Sequence, residues 1–259
     1  MKAQDATAAL PALRRIAMLC VALMAVVVVA SAFLRHLGTS AALQSVWADE
    51  LALARQLHRV AATLALIGAV VMVVLARRAH SSRSGLAWSL LGVGLLLSAI
   101  GIAAGASRAA PVVLVNLLGG LAMLALTVRL AASDSHVGIG RAAWIMLGLV
   151  ALQAAGGALA STSASAECVG LGIGQNHCSA YAQLHRVSGL LLGYALIVFG
   201  MWDAFRLQRR RRSLLALNGL ALLLLGMLAA GMGSTTVPLV IVMHNALGAA
   251  AVAWLVSKA

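Results

Sequence analysis

The pentapeptide Gln-Leu-His-Arg-Val occurs at residues 56–60 and again at 183–187, placing His58 and His185 at a separation of 127 positions in a chain of 259. Each copy opens an apolar run. A third histidine, His244, lies between "LVIVM" and "NALGAAAVAWLV", deep in apolar sequence. Imidazole is the commonest metal ligand among side chains, and polar groups set in hydrocarbon are costly and tend to be functional. Two imidazoles facing each other across a bundle core occupy both axial positions of a haem iron, and His185 and His244 are the pair expected to do so. Arg186, next to His185, suits a haem propionate because a guanidinium binds carboxylate bidentately. Arg59 suits the same role beside His58, and both arginines equally suit anchoring a helix at the membrane interface.

Those residues must be positioned by helices in a bilayer. Hydrophobic residues make up 63% of the chain and charged residues 10%, with mean hydropathy +1.01, whereas a soluble domain carries roughly a quarter charged residues. That excludes the soluble enzyme classes. The formal charge of +13 does not point to nucleic acid, since the arginines fall in short connections between apolar runs. Eight runs approach the about 20 residues needed to span, near 15–34, 57–76, 86–106, 110–129, 142–160, 183–203, 213–231 and 236–256. Fourteen of the 19 basic residues fall at the N-terminus, in the second, fourth and sixth connections, or at Lys258. The positive-inside rule then places both termini in the cytoplasm of a bacterial inner membrane, with His58 and His185 near the outer surface. The first run is too long for a signal-peptide core and is expected to be retained.

The 127-residue offset also brings Pro111 onto Pro238, each opening the last helix of its half. The expected fold is an all-α integral membrane protein with eight transmembrane helices. They form two tandemly repeated four-helix bundles, residues 1–131 and 132–259, in parallel orientation. Cys168 and Cys178 share the outer loop before the sixth run, where an oxidising compartment makes a disulfide the natural reading; Cys20 reads as a small apolar residue. His80 and His136 fall in cytoplasmic loops among arginines, and His36 and His177 lie at outer helix ends or loops. The glycine-rich stretches "LLGGLAML" and "GLLLG" suit close helix packing.

Taken together, the two tandem halves, the His-Arg boxes opening helices two and six, and the cysteine pair before helix six resemble haem A synthase. "FLRHLGTSA", "GGALASTSASAEC" and "NLLGG" look like loop and fourth-helix motifs of that family. The resemblance covers nearly the whole chain and implies haem b between His185 and His244. It also implies a substrate site for haem O in the first half, where a methyl group is oxidised to a formyl group. A haem O synthase, an electron acceptor and cytochrome oxidase assembly factors are the partners it implies. In that family the first-half box is Glu-x-x-His-Arg with a second histidine on the fourth helix. Here Arg55 stands at the glutamate position and Asn116 at the second histidine, a gapless alignment placing Leu117 opposite His244. His58 remains the candidate substrate-haem ligand, and Glu50 is a candidate substitute carboxylate. A haem-b protein without that catalysis, carrying electrons or assisting oxidase assembly, is the alternative.

Overall fold

A computed structural model describes residues 2–37, 41–105, 107, 109–132, 140–162, 180–206, 213–229 and 237–258. Among the described residues the chain is helical, with no strand. Backbone groups in hydrocarbon have no water to bond, so a helix, which satisfies them within its own segment, is the expected solution. The helices are α1 (Lys2–Leu37), α2 (Ala41–Val46), α3 (Ala48–Arg78), α4 (Ser84–Ala104), α5 (Ala110–Ala131), α6 (Arg141–Thr162), α7 (Ala180–Arg206), α8 (Ser213–Ala229) and α9 (Val237–Lys258). Six of them, α1 and α3 to α7, are long and apolar enough to cross a membrane. The described parts of α8 and α9 hold shorter apolar stretches, Leu215–Leu224 and Val242–Ser257.

The two longest helices differ from the sequence reading at their N-terminal ends. α1 starts at Lys2 rather than near 15, continuing through Pro11, and α3 starts at Ala48 rather than 57. Hydropathy alone ends a segment where charges begin, yet Ala, Leu, Glu, Gln and Arg in "ADELALARQL" are strong helix formers. Asp49 and Glu50 in the first turn of α3 also suit the positive end of the helix dipole. His58 therefore sits ten residues inside α3, about 15 Å from its start, and not at its mouth. α5 and α9 begin as read, each with proline as its second residue, where the missing amide proton costs no helical hydrogen bond.

The packing closes two circuits. α1 packs on α3 and α5, α3 on α4, and α4 on α5; α6 packs on α7 and α9, α7 on α8, and α8 on α9. The circuits meet where α1 and α5 touch α9 and where α5 touches α6. A continuous core of buried residues runs through both, including Leu13, Met72, Leu124, Leu196 and Leu255. Without a hydrophobic force between helices in lipid, small residues that let backbones approach carry the packing. A Cβ at Gly200 would lie 2.5 Å from the Ala216 backbone nitrogen, and one at Gly219 would lie 2.9 Å from the Gly193 carbonyl oxygen. Both neighbours are backbone, so α7 and α8 can touch only through glycine. Cys20 behaves as the small apolar residue expected, buried with its Sγ where a Cβ on Gly68 would stand.

Two residues of the α3–α4 turn, His80 and Arg83, which the sequence places in a cytoplasmic connection, have structural roles. His80 is exposed and adopts φ 46°, the left-handed conformation that closes a helix. Its amide bonds the Arg77 carbonyl, and the Ser81 amide bonds that of Ala76. Arg83 is buried at 9% exposure and donates from Nη1 to the Leu130 and Ala132 carbonyls. It thus satisfies carbonyls that the end of α5 leaves without helical partners. We expect Arg83→Ala to destabilise the protein by about 1–3 kcal/mol, with Arg83→Lys intermediate, as measured by thermal unfolding in detergent. Equal stability of all three would refute this capping role.

Candidate functional site

His185 on α7 and His244 on α9 meet in an edge-type contact, their ring centroids 6.3 Å apart and their planes at 80°. The sequence placed these imidazoles 59 positions apart; the α6–α7–α8–α9 circuit brings them together. Two metal–imidazole bonds of about 2 Å each, together with the ring radii, span about 6 Å between centroids. The observed centroid separation is of that size. Among the described residues no three His, Cys, Asp or Glu side chains gather as a site for a bare ion.

The seating of His185 depends on α6. A Cβ at Gly157 would lie 2.7 Å from His185 Cε1 and 3.1 Å from Nε2, so the ring occupies the space a side chain would fill. One turn earlier on α6, Gln153 does the reverse, its amide occupying the space over Gly189 of α7. Gln153 Nε2 is 2.9 Å from His185 Nδ1 and donates to the His185 carbonyl at 2.6 Å. Ser188 Oγ lies 2.6 Å from Gln153 Oε1 and 2.6 Å from the Leu184 carbonyl oxygen. Gln153 escaped the sequence reading. Its signal was available: a single amide in the otherwise apolar "LGLVALQAAGGALA".

Arg186 and Arg59 diverge. Nη2 of Arg186 is buried with no hydrogen-bond partner, and an orphaned guanidinium nitrogen next to the imidazole pair is suited to an anionic group. Arg59 is exposed, as is Arg55. A second cation was missed in sequence: Arg35, near the end of α1, donates from Nη2 to Asn245 Oδ1 at 3.1 Å, joining the two circuits one residue from His244.

In the first half, His58 is half-buried and its Nδ1 lies 3.4 Å from Ser31 Oγ on α1. Asn116 is exposed on α5 and makes no hydrogen bond to His58. A cleft of about 450 Å³ opens between α1 and α3, walled by Val29, Phe33, Leu57 and Val242, with Glu50 among its lining residues. Glu50 and Leu57, the residue before His58, thus stand on this cleft, although Glu50 is largely exposed and His58 is not among the lining residues. Cys168, Cys178, His177 and His136 lie outside the described residues, as does the proposed disulfide. No protein-family model matches the chain, and no curated protein sequence gives a significant match to it.

The packing of His185 on α6 yields a paired expectation. Gly157→Ala forces the ring or the helix to move and should destabilise by about 1–3 kcal/mol. Gly156→Ala places its methyl 3.8 Å from His185 Nδ1, in ordinary contact, and should leave stability unchanged. Thermal unfolding of the two variants side by side decides it, and equal melting temperatures would disprove the seating of His185 in the Gly157 gap.

Proposed function

We propose that this chain is a haem-binding membrane protein of the haem A synthase type, holding haem b between His185 and His244. The observation that carries this reading is the 6.3 Å imidazole pair in an apolar bundle. The buried, partnerless Nη2 of Arg186 supports it, since it would receive a propionate. When bound, the haem supplies one-electron chemistry at its iron. The protein's own contribution is to fix both imidazoles, to exclude water with the surrounding Leu, Val and Ala side chains, and to offset propionate charge with guanidinium.

The same reading takes the chain to have eight spans in two tandem four-helix halves, supported by the two matching circuits of helix contacts and by the paired prolines 111 and 238. It places the protein in a bacterial inner membrane with cytoplasmic termini, on the distribution of arginines. In this orientation the ends of α1 and α6 and the beginnings of α3, α7 and α9 share the outer layer, where all three histidines lie.

A second reading, oxidation of haem O in the first half, is favoured by one observation: the apolar cleft along α1 and α3, lined by Glu50 and by Leu57, the residue before His58. His58 would be the iron ligand from the protein on that side. Ser31 and not a second imidazole is its neighbour, so the first half would hold its haem through one histidine. Glu50 would supply the carboxylate that Arg55 displaces from the box.

Haem extraction and chromatography of the purified protein, co-expressed with a haem O synthase, tests both readings. Haem B in the extract is expected, together with a low-spin spectrum that His244→Ala abolishes. A spectrum unchanged in His244→Ala would sink the bis-histidine assignment. Haem A in the extract would establish the oxidase activity; haem B alone, or with unaltered haem O, would restrict the function to the second bundle.

A further inference from the structure

We propose that Gln153 is a positioning residue for His185, an amide latch that engages Nδ1, leaves Nε2 as the ring nitrogen without a hydrogen bond, and tunes the basicity of the imidazole. The proposal rests on the bis-histidine haem reading above. Gln153 approaches Nδ1 of His185 at 2.9 Å and its main-chain carbonyl at 2.6 Å, so ring and backbone are held from one side chain. With Nδ1 engaged on the α6 side, Nε2 is the nitrogen left for a metal.

The proton count around the amide makes it a latch rather than a fixed strut. With the NH2 group toward His185, Gln153 supplies protons to both Nδ1 and the His185 carbonyl. Ser188 then has one hydroxyl proton for two acceptors at 2.6 Å, Gln153 Oε1 and the Leu184 carbonyl. With the amide turned over, Oε1 accepts from Nδ1–H, the NH2 group donates to Ser188 Oγ, and Ser188 donates to Leu184. The contact left without a proton is now Oε1 against the His185 carbonyl. Each orientation leaves one contact unsupplied, so the tautomer of His185 decides between them. An imidazole that gives its Nε2 lone pair to iron carries its proton on Nδ1 and needs an acceptor there. The turned amide provides it.

A glutamine is unusually suited to this task because it offers donor and acceptor on one planar group. The gap over Gly189, where a Cβ would lie 2.7 Å from Gln153 Nε2, gives the amide its place. Ser188 serves either orientation, because a hydroxyl both donates and accepts.

The test is redox titration and haem retention of the purified holoprotein with Gln153→Glu, Gln153→Met and Ser188→Ala. A carboxylate accepts more strongly from Nδ1–H, makes His185 more basic and favours ferric iron. Gln153→Glu should therefore shift the one-electron equilibrium toward the oxidised form by about tenfold, about 59 mV. Gln153→Met removes the acceptor, should shift the equilibrium the opposite way, and should weaken haem retention about 10- to 100-fold. Ser188→Ala should follow Gln153→Met in direction by a smaller amount, and it carries the test if the methionine variant does not accumulate. Opposite signs for Glu and Met support the latch, since a merely structural role gives no such reversal. Wild-type potentials and haem content in the variants, or shifts of one sign in both, would overturn it. A wild-type protein that carries no haem would instead overturn the haem reading itself, so the two failures are separable.

Discussion

Hydrocarbon offers no water to a polar group, and that constraint orders the interior of this protein. Each buried donor or acceptor left without a partner costs of the order of several kcal/mol. Helices satisfy the backbone, so the remaining polar side chains must look to a neighbouring helix or to their own. Ser98 and Thr127 do the latter, bonding carbonyls one turn back. Gln153 and His185 join α6 to α7, Ser31 and His58 join α1 to α3, Arg35 and Asn245 join α1 to α9, and Asn218 donates to the Leu247 carbonyl across α8 and α9.

These partnerships differ between the two circuits of helices. In the second, the α6–α9 circuit sets imidazole against imidazole, with a glycine gap for the ring and an amide behind it. In the first, His58 meets a serine hydroxyl, and the corresponding arginines are exposed. The space along α1 and α3 is an apolar cleft instead of a pair of imidazoles. Arg35 links the halves at the residue next to His244, so α1 of the first half helps define the surroundings of the second-half pair.

Much of this was legible in the residues. Apolar length located the cores of the long helices, because burial in lipid demands runs of apolar residues regardless of tertiary context. The paired prolines marked the starts of α5 and α9 for a purely local reason, the absent amide proton. The starts of α1 and α3 were misread because hydropathy cannot distinguish a charged loop from a charged helical extension; propensity can, and "ADELALARQL" carries it. The structural roles of Arg83 and His80 were not legible, because their partners are carbonyls and backbone turns, which leave no trace in side-chain pattern.

By itself, then, the sequence determined that the chain is helical and apolar enough for a bilayer, and it nominated His58, His185 and His244 as the groups whose presence there needs explaining. Composition and periodicity are properties of single segments, and those conclusions need nothing more. The tertiary structure decided which histidines meet: His185 with His244 at 6.3 Å, and His58 with Ser31. It also decided that Gln153 stands behind His185 and that Gly157 makes room for the ring. Rotation and depth of one helix against another fix such pairings. They are set by how small residues let backbones approach, a relation between segments that no one of them encodes.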